Sequence, residues 1–262
     1  MEYMKKELRD LTVLSNEHLT SRYVLLHLTD KASPLPDCHP GQFVQVKVEG
    51  SPATFLRRPI SIHFLDREKN ELWLLVQIVG EGTQAIAQLK TNDKLNVLMP
   101  LGNGFSPIQQ TNEHVLLVGG GVGIAPLLEY GKYLKEKGAT PTFLLGARTA
   151  TDLVQLPYFQ QYGDVHTTTE DGTSGERGFV TQHSIFQTAT FDRISVCGPK
   201  PMMLAVAKYA KKANLPCEVS LENMMACGLG ACLCCVEKTV RGNVCVCKDG
   251  PVFNINELTW QI

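Results

Sequence analysis

Six of the nine cysteines fall between Cys227 and Cys247. That stretch reads Cys227-Gly228-Leu229-Gly230-Ala231-Cys232-Leu233-Cys234-Cys235, with Cys245-Val246-Cys247 downstream. Cys227, Cys232 and Cys235 give C-x4-C-x2-C with a further cysteine beyond, the plant-type spacing for a [2Fe–2S] cluster. The small residues Gly228, Gly230 and Ala231 suit that chemistry. The backbone must fold closely around a cluster so that its N–H groups reach the sulfurs. Structural zinc also takes four thiolates, but it builds more often from two separate short knuckles than from an x4 loop. Taking Cys234 in place of Cys235 breaks the spacing; between Cys245 and Cys247 the spacing does not choose. A disulfide framework belongs to small secreted chains, which this one does not resemble.

A second chemistry lies upstream. The apolar run Val115-Leu116-Leu117-Val118 leads directly into Gly119-Gly120-Gly121-Val122-Gly123-Ile124-Ala125-Pro126. A strand, a glycine turn and a helix start make an anion site, because free N–H groups and the helix dipole meet there. Gly120, Gly121 and Gly123 are its candidate contacts. A tight strand-to-helix turn can carry such a run with no ligand, but a second turn, Cys197-Gly198-Pro199, follows a later strand. Both turns then lie at the carboxyl edge of one sheet, where such folds bind nucleotides. Two weaker signals precede them, Arg58-Pro59-Ile60-Ser61 and Gly82-Thr83. Taken alone, an arginine on a strand is ordinarily solvated and a threonine before a helix ordinarily caps it; either can also hold a phosphate.

These residues need a frame. Up to about Leu101 the chain reads as short strands separated by turns, such as 22–28, 42–48 and 72–78, which predicts a small antiparallel barrel. After His114 the rhythm becomes strand, helix, strand. Strands start near Val115, Thr142, Val165, Ile194 and Glu218, with helices over 125–137 and 201–213. That alternation predicts a parallel sheet flanked by helices. The expected fold is therefore multidomain, β plus α/β. It comprises a β-barrel domain over 1–105, a nucleotide-binding α/β domain over 106–222 and a small cysteine-rich segment over 223–262. No repeat or low-complexity linker separates them, so the three should pack together.

The 262 residues carry 25 Lys and Arg against 26 Asp and Glu, a formal net charge of -1. No global basic field gathers nucleic acid or an anionic membrane. The first residues, Met1 to Glu7, lack the apolar stretch of a signal peptide, and the longest apolar runs are too short to cross a bilayer. A cytoplasmic location is the expectation.

Residues 1 to about 222 resemble the ferredoxin–NADP reductase superfamily. The matches are Pro40-Gly41-Gln42-Phe43, Arg58-Pro59-Ile60-Ser61, Gly82-Thr83, Pro100-Leu101-Gly102-Asn103-Gly104-Phe105, Gly119 to Pro126, and Cys197-Gly198-Pro199 with Met202. With Met225 to Cys232 and Cys247-Lys248-Asp249-Gly250-Pro251-Val252-Phe253 added, the whole chain resembles the electron-transfer subunits of class 1B dihydroorotate dehydrogenases. That resemblance implies FAD, one [2Fe–2S] cluster and NAD as redox partner. It makes the cysteine before Asp-Gly-Pro-Val-Phe the fourth ligand, giving Cys227, Cys232, Cys235 and Cys247. Arg58 would face the FAD pyrophosphate with Pro59 and Ile60 beside it, Ser61 would lie near the flavin ring, and Leu75, Val76 and Gln77 would line the FAD. Gly82 and Thr83 would bind its pyrophosphate, while Gly198 and Pro199 would flank the nicotinamide with Cys197 nearby. Many superfamily members have Tyr where this chain has Ile60, so an aliphatic side chain stands where an aromatic ring usually stacks on that flavin face.

The implied partner is an FMN-containing dihydroorotate dehydrogenase catalytic subunit, in a heterotetramer with two copies of each. Its electrons would reach NAD⁺ through this chain during pyrimidine biosynthesis. The electron count agrees: NADH carries a hydride, a [2Fe–2S] cluster carries one electron, and FAD can convert between them. Related subunits of a ferredoxin-linked transhydrogenase or a sulfide-oxidising complex are the nearest alternative. A zinc-stabilised nucleotide-binding regulator is the alternative without redox chemistry.

Overall fold

The computed structural model describes residues 5–51 and 53–262. The opening residues Met1–Met4, part of the stretch read above for a leader, lie outside the described residues.

Seven strands form the first sheet: β1 (Glu7–His18), β2 (Tyr23–Thr29), β3 (Phe43–Val46), β4 (Arg58–Ser61), β5 (Phe64–Asp66), β6 (Glu71–Gln77) and β7 (Lys94–Leu101). Their order is β4-β3-β7-β1-β2-β6-β5, with every neighbouring pair antiparallel, and β4 and β5 are its edges. The predicted barrel is thus an antiparallel half-barrel. Side chains alternate across it. On β3, Val44 and Val46 join the core inside the half-barrel, whereas Phe43 joins a core shared with the C-terminal segment. A short helix, α1 (Glu81–Ala87), links β6 to β7.

The second sheet contains β8 (His114–Gly120), β9 (Thr140–Ala147), β10 (Asp164–Thr169), β11 (Glu176–Arg177), β12 (Arg193–Cys197) and β13 (Cys217–Ser220). These are parallel in the order β11-β10-β9-β8-β12-β13. Crossover helices α2 (Ala125–Glu136), α3 (Leu156–Gln160), α4 (Ile185–Thr188) and α5 (Lys200–Lys212) connect them. Pro126 sits in the first turn of α2, where its missing N–H costs nothing. Chain order reverses direction beside β8, which makes the β8–β12 edge the switch point where ligands bind in such sheets.

The remaining residues form a hairpin, β14 (Val236–Thr239) with β15 (Gly242–Cys245), then α6 (Val246–Asp249) and β16 (Val252–Asn254). β16 adds to β13 as an antiparallel edge, so the C-terminal segment completes the nucleotide sheet. The half-barrel holds the same segment from the other side. Asn103 Nδ2 donates to the Lys248 and Asp249 carbonyls at 3.1 Å each, and Asn103 N–H donates to Gly250 O at 2.5 Å. The three parts therefore pack as one body. No helix among the described residues is long and apolar enough to cross a membrane.

Candidate functional site

The two glycine turns meet at the switch point. A cavity of about 540 Å³ opens there, lined by Gly120, Gly121, Pro199 and Met202 from the nucleotide sheet and by Tyr23 and Gln77 from the half-barrel. Of the residues singled out in these turns, Gly120, Gly121 and Pro199 reach it, and Gln77 joins them from β6. Gly123 has a different duty. A Cβ there would lie 2.4 Å from the Cys197 carbonyl oxygen, so this glycine lets the first turn rest on the second. Cys197 is 1% exposed, and burial raises its thiol well above the ordinary range, with nearby Glu222 adding to the effect. It is a neutral packing group beneath the cavity floor.

Sequence reasoning did not single out Tyr23, Asp152, Glu170 or Glu222, which also line the cavity. Arg148 does so too. Their positions come from strand ends that adjoin only in the folded sheet. Glu170 follows β10, and its N–H donates to Ala147 O at 3.1 Å, which brings it beside Arg148 at the end of β9. Arg22 and Asp152, 3.2 Å apart, tie the half-barrel to the nucleotide sheet at the cavity rim. Nothing in the local sequence announces a pair separated by so much chain.

The flavin signals also converge. A Cβ on Gly82 would lie 3.0 Å from Arg58 Nε, so the guanidinium rests against the first turn of α1. Gly82 and Thr83 lie inside that turn, where backbone N–H groups have no intrahelical partner. The Thr83 hydroxyl is occupied locally: it accepts from Val79 N–H at 2.9 Å and Gly80 N–H at 3.1 Å. What Thr83 can offer a phosphate is its backbone. β4, carrying Arg58 to Ser61, is a half-buried edge strand. Leu75 and Val76 are 2% and 1% exposed and pack into different cores, so they can present only backbone to a cofactor.

The cysteine loop shows sulfurs surrounded by donors. Cys227 Sγ accepts from the N–H groups of Leu229 and Ala231, both at 3.3 Å, and Cys247 Sγ accepts from Gly230 N–H at 3.1 Å. Gly228 and Gly230 have φ of +70° and +79°, a region that side chains resist and that aims these N–H groups inward. Burial opposes ionisation of Cys227, but the N–H groups of Leu229, Cys232 and Ala231 outweigh it and bring the thiol down to about 6. Burial and the neighbouring Cys235 push Cys247 up to about 12, a sign that a bound cation reverses.

Among the described residues no three His, Cys, Asp or Glu side chains converge as ligands of a single ion. The thiols gather instead as neighbours, Cys232 beside Cys227, and Cys235 beside Cys247, whose N–H donates to Cys235 Sγ at 3.4 Å. Two pairs of thiolates fit a cluster of two irons. Cys234 points to solvent, and Cys245 Sγ lies 3.7 Å from the Gly230 carbonyl.

Residues 222–259 match the family described as the iron-sulfur cluster binding domain of dihydroorotate dehydrogenase B, and residues 117–208 match the oxidoreductase NAD-binding domain. Over 254 residues the chain is 38% identical to the dihydroorotate dehydrogenase B (NAD(+)) electron transfer subunit of Bacillus pumilus, spanning 95% of this chain and 96% of that one. With the same subunit of Caldanaerobacter subterraneus subsp. tengcongensis it shares 40% identity over 250 residues, 94% and 96% of the two chains. This chain belongs to the dihydroorotate dehydrogenase B electron transfer subunit family. Membership makes FAD, a [2Fe–2S] cluster and NAD the redox groups of the chain, and a separate catalytic subunit its partner. The fold extends further. A solved NADH-dependent reduced ferredoxin-NADP oxidoreductase, studied for flavin-based electron bifurcation, superimposes with a TM-score of 0.83 at 29% identity, over 95% of this chain and 90% of that one.

Proposed function

We propose that this dihydroorotate dehydrogenase B electron transfer subunit takes electrons from an FMN-containing catalytic subunit and delivers them to NAD⁺ in pyrimidine biosynthesis. The observation that carries the reading is the set of backbone N–H groups aimed at the Cys227, Cys235 and Cys247 sulfurs in a loop seated on the half-barrel, whose opposite flank opens onto the nucleotide cavity. When bound, the [2Fe–2S] cluster would supply one-electron transfer, and FAD would supply the means to join two such electrons and a proton into the hydride that NAD⁺ accepts.

The chain's own residues position these groups. Cys227, Cys232, Cys235 and Cys247 would hold the cluster. The Gly230 N–H on Cys247 supports Cys247 over Cys245 as fourth ligand. Arg58, with the backbone of Gly82 and Thr83, holds the FAD pyrophosphate, and Ser61 and Gln77 border the flavin. Gly120, Gly121 and Pro199 form the nicotinamide nucleotide site, with Gly123, Cys197 and Gly198 packed beneath it. The half-barrel over 1–105, the α/β region over 106–222 and the segment 223–262 serve as FAD, NAD and cluster domains respectively.

The cluster loop is the docking face. Met224, Leu229 and Leu233 are 84%, 45% and 64% exposed around it, an apolar rim suited to a protein partner. The assembly would be a heterotetramer with two copies of each subunit, working in the reducing cytoplasm, where cysteines free of disulfides such as these persist.

Co-expression of the chain with an FMN-containing dihydroorotate dehydrogenase subunit tests the reading. Dihydroorotate-dependent NAD⁺ reduction that requires both chains supports it. The likeness to the bifurcating oxidoreductase favours a second reading, a subunit of a ferredoxin-linked transhydrogenase. Co-purification with a large iron–sulfur partner in place of an FMN protein would select that one.

A further inference from the structure

Gln45 occupies an unusual position. On β3 it lies on the face opposite to Val44 and Val46, the side on which Phe43 packs against the cysteine segment. It is 0% exposed. Its backbone partners are Pro59 on β4, within the strand assigned to the flavin, and Leu98 on β7. In front of it stands Gly228, the residue after Cys227. A Cβ built there would be 2.8 Å from Gln45 Cγ and 3.2 Å from Gln45 Nε2. The amide therefore sits between the flavin strand and the cysteine loop.

Neither Nε2 nor Oε1 of Gln45 has a hydrogen-bond partner among the described residues. A buried carboxamide left in that state is destabilising, and Met or Leu would fill the same space without that cost. Neighbouring amides on this seam are spent. Gln42 accepts from His39 N–H and donates to Gly102 O, both at 2.7 Å, and Asn103 donates to two carbonyls.

We infer that Gln45 is a positioning residue for the cluster, its side-chain N–H donating toward the sulfurs held by the cysteine loop and fixing that loop against the flavin strand. The inference rests on the ligand set proposed above. Reduction adds negative charge to a cluster, so a donor aimed at its sulfurs stabilises the reduced form and raises the potential. Gln45 thus favours entry of each electron into the cluster, and it does so from the side on which the electron leaves for the flavin domain.

The test is a potentiometric titration of the full chain, purified anaerobically with its cofactors, followed by electron paramagnetic resonance. Gln45→Met removes the donor and keeps the bulk. It should retain its iron, show altered resonance of the reduced cluster, and shift the one-electron equilibrium about tenfold toward the oxidised form, about 59 mV lower. Gln45→Glu should shift it in the same direction. An unchanged potential and resonance in Gln45→Met, with equal or higher thermal stability, would mean that the amide is idle and would overturn the inference. Should Gln45→Met fail to fold, Gln45→Glu decides by the same measure. Wild-type protein lacking iron and acid-labile sulfide would sink the ligand set and this inference with it. A wild-type cluster with unshifted variants would sink the Gln45 role alone.

Discussion

The half-barrel carries two seams, and they are built differently. Toward the nucleotide sheet its polar groups meet partners across the boundary. His63 Nδ1 lies 2.9 Å from Ala125 O, Glu129 accepts from Leu65 N–H at 3.0 Å, and Arg22 faces Asp152. A cavity stays open along that seam. Toward the cysteine segment Asn103 bonds across the rim of the seam, but its interior is apolar, with Phe43 and Leu101 sharing a core with Cys235, Val246 and Cys247, and the polar Gln45 unmatched within it. A nucleotide that comes and goes needs an accessible cleft with polar walls. A resident cluster needs a dry, closely folded wrapping whose remaining polarity is aimed at it. Glycine serves both seams for different reasons: Gly123 for the close approach of two turns, Gly230 for a backbone conformation that presents an N–H to sulfur.

The most damaging change to the cluster seam is Cys235→Ser, which should abolish assembly of the normal cluster, seen as lost iron and lost resonance of the reduced protein. Across the molecule, Gly123→Ala must push the Cys197 carbonyl away and should cost roughly 1–3 kcal/mol of stability. It should also weaken NADH binding while iron content stays normal; a parallel loss of iron would show that the two seams are not separable. Gly121→Ala has no atom nearer than the Tyr23 hydroxyl at 3.6 Å, so its penalty comes from φ of +56° alone, about 1–2 kcal/mol.

A third change probes the nucleotide seam through pH. Burial holds His63 neutral, lowering it from 6.5 to about 4. Since the Ala125 carbonyl can only accept, the proton resides on Nδ1. Between pH 6.5 and 4 the unfolded chain binds a proton that the folded chain refuses. Stability therefore falls as pH drops through that window, by up to roughly 3 kcal/mol. His63→Gln, which keeps a donor for Ala125, should flatten the slope in denaturant titrations between those pH values; an unaltered slope would assign the acid sensitivity elsewhere. The smallest effect is expected for Cys234→Ser, whose solvent-facing thiol lies outside the two pairs. Normal iron and resonance are the outcome, and loss of iron there would overturn the ligand set.

Much of this was legible in the chain itself. C-x4-C-x2-C, the glycine turn after Val118 and the change of rhythm near His114 are local patterns, and local geometry enforces them: fixed ligand reach, helix start chemistry, and the two side-chain periods. The resemblance added the fourth cysteine and the cofactors. Gly82 and Thr83 were placed one turn too early, because a cap and a first helical turn look alike in sequence. The half-barrel's open edges, the Arg22–Asp152 tie and the meeting of Glu170 with Arg148 depend on which strands become neighbours. So does Gln45, which reads as an ordinary polar residue in an alternating strand. The chain alone determined which chemistries are present, since these are written in short spacings. Only the tertiary structure decided what lies between them, because contacts across seams depend on how whole sheets pack, and no short window of sequence carries that information.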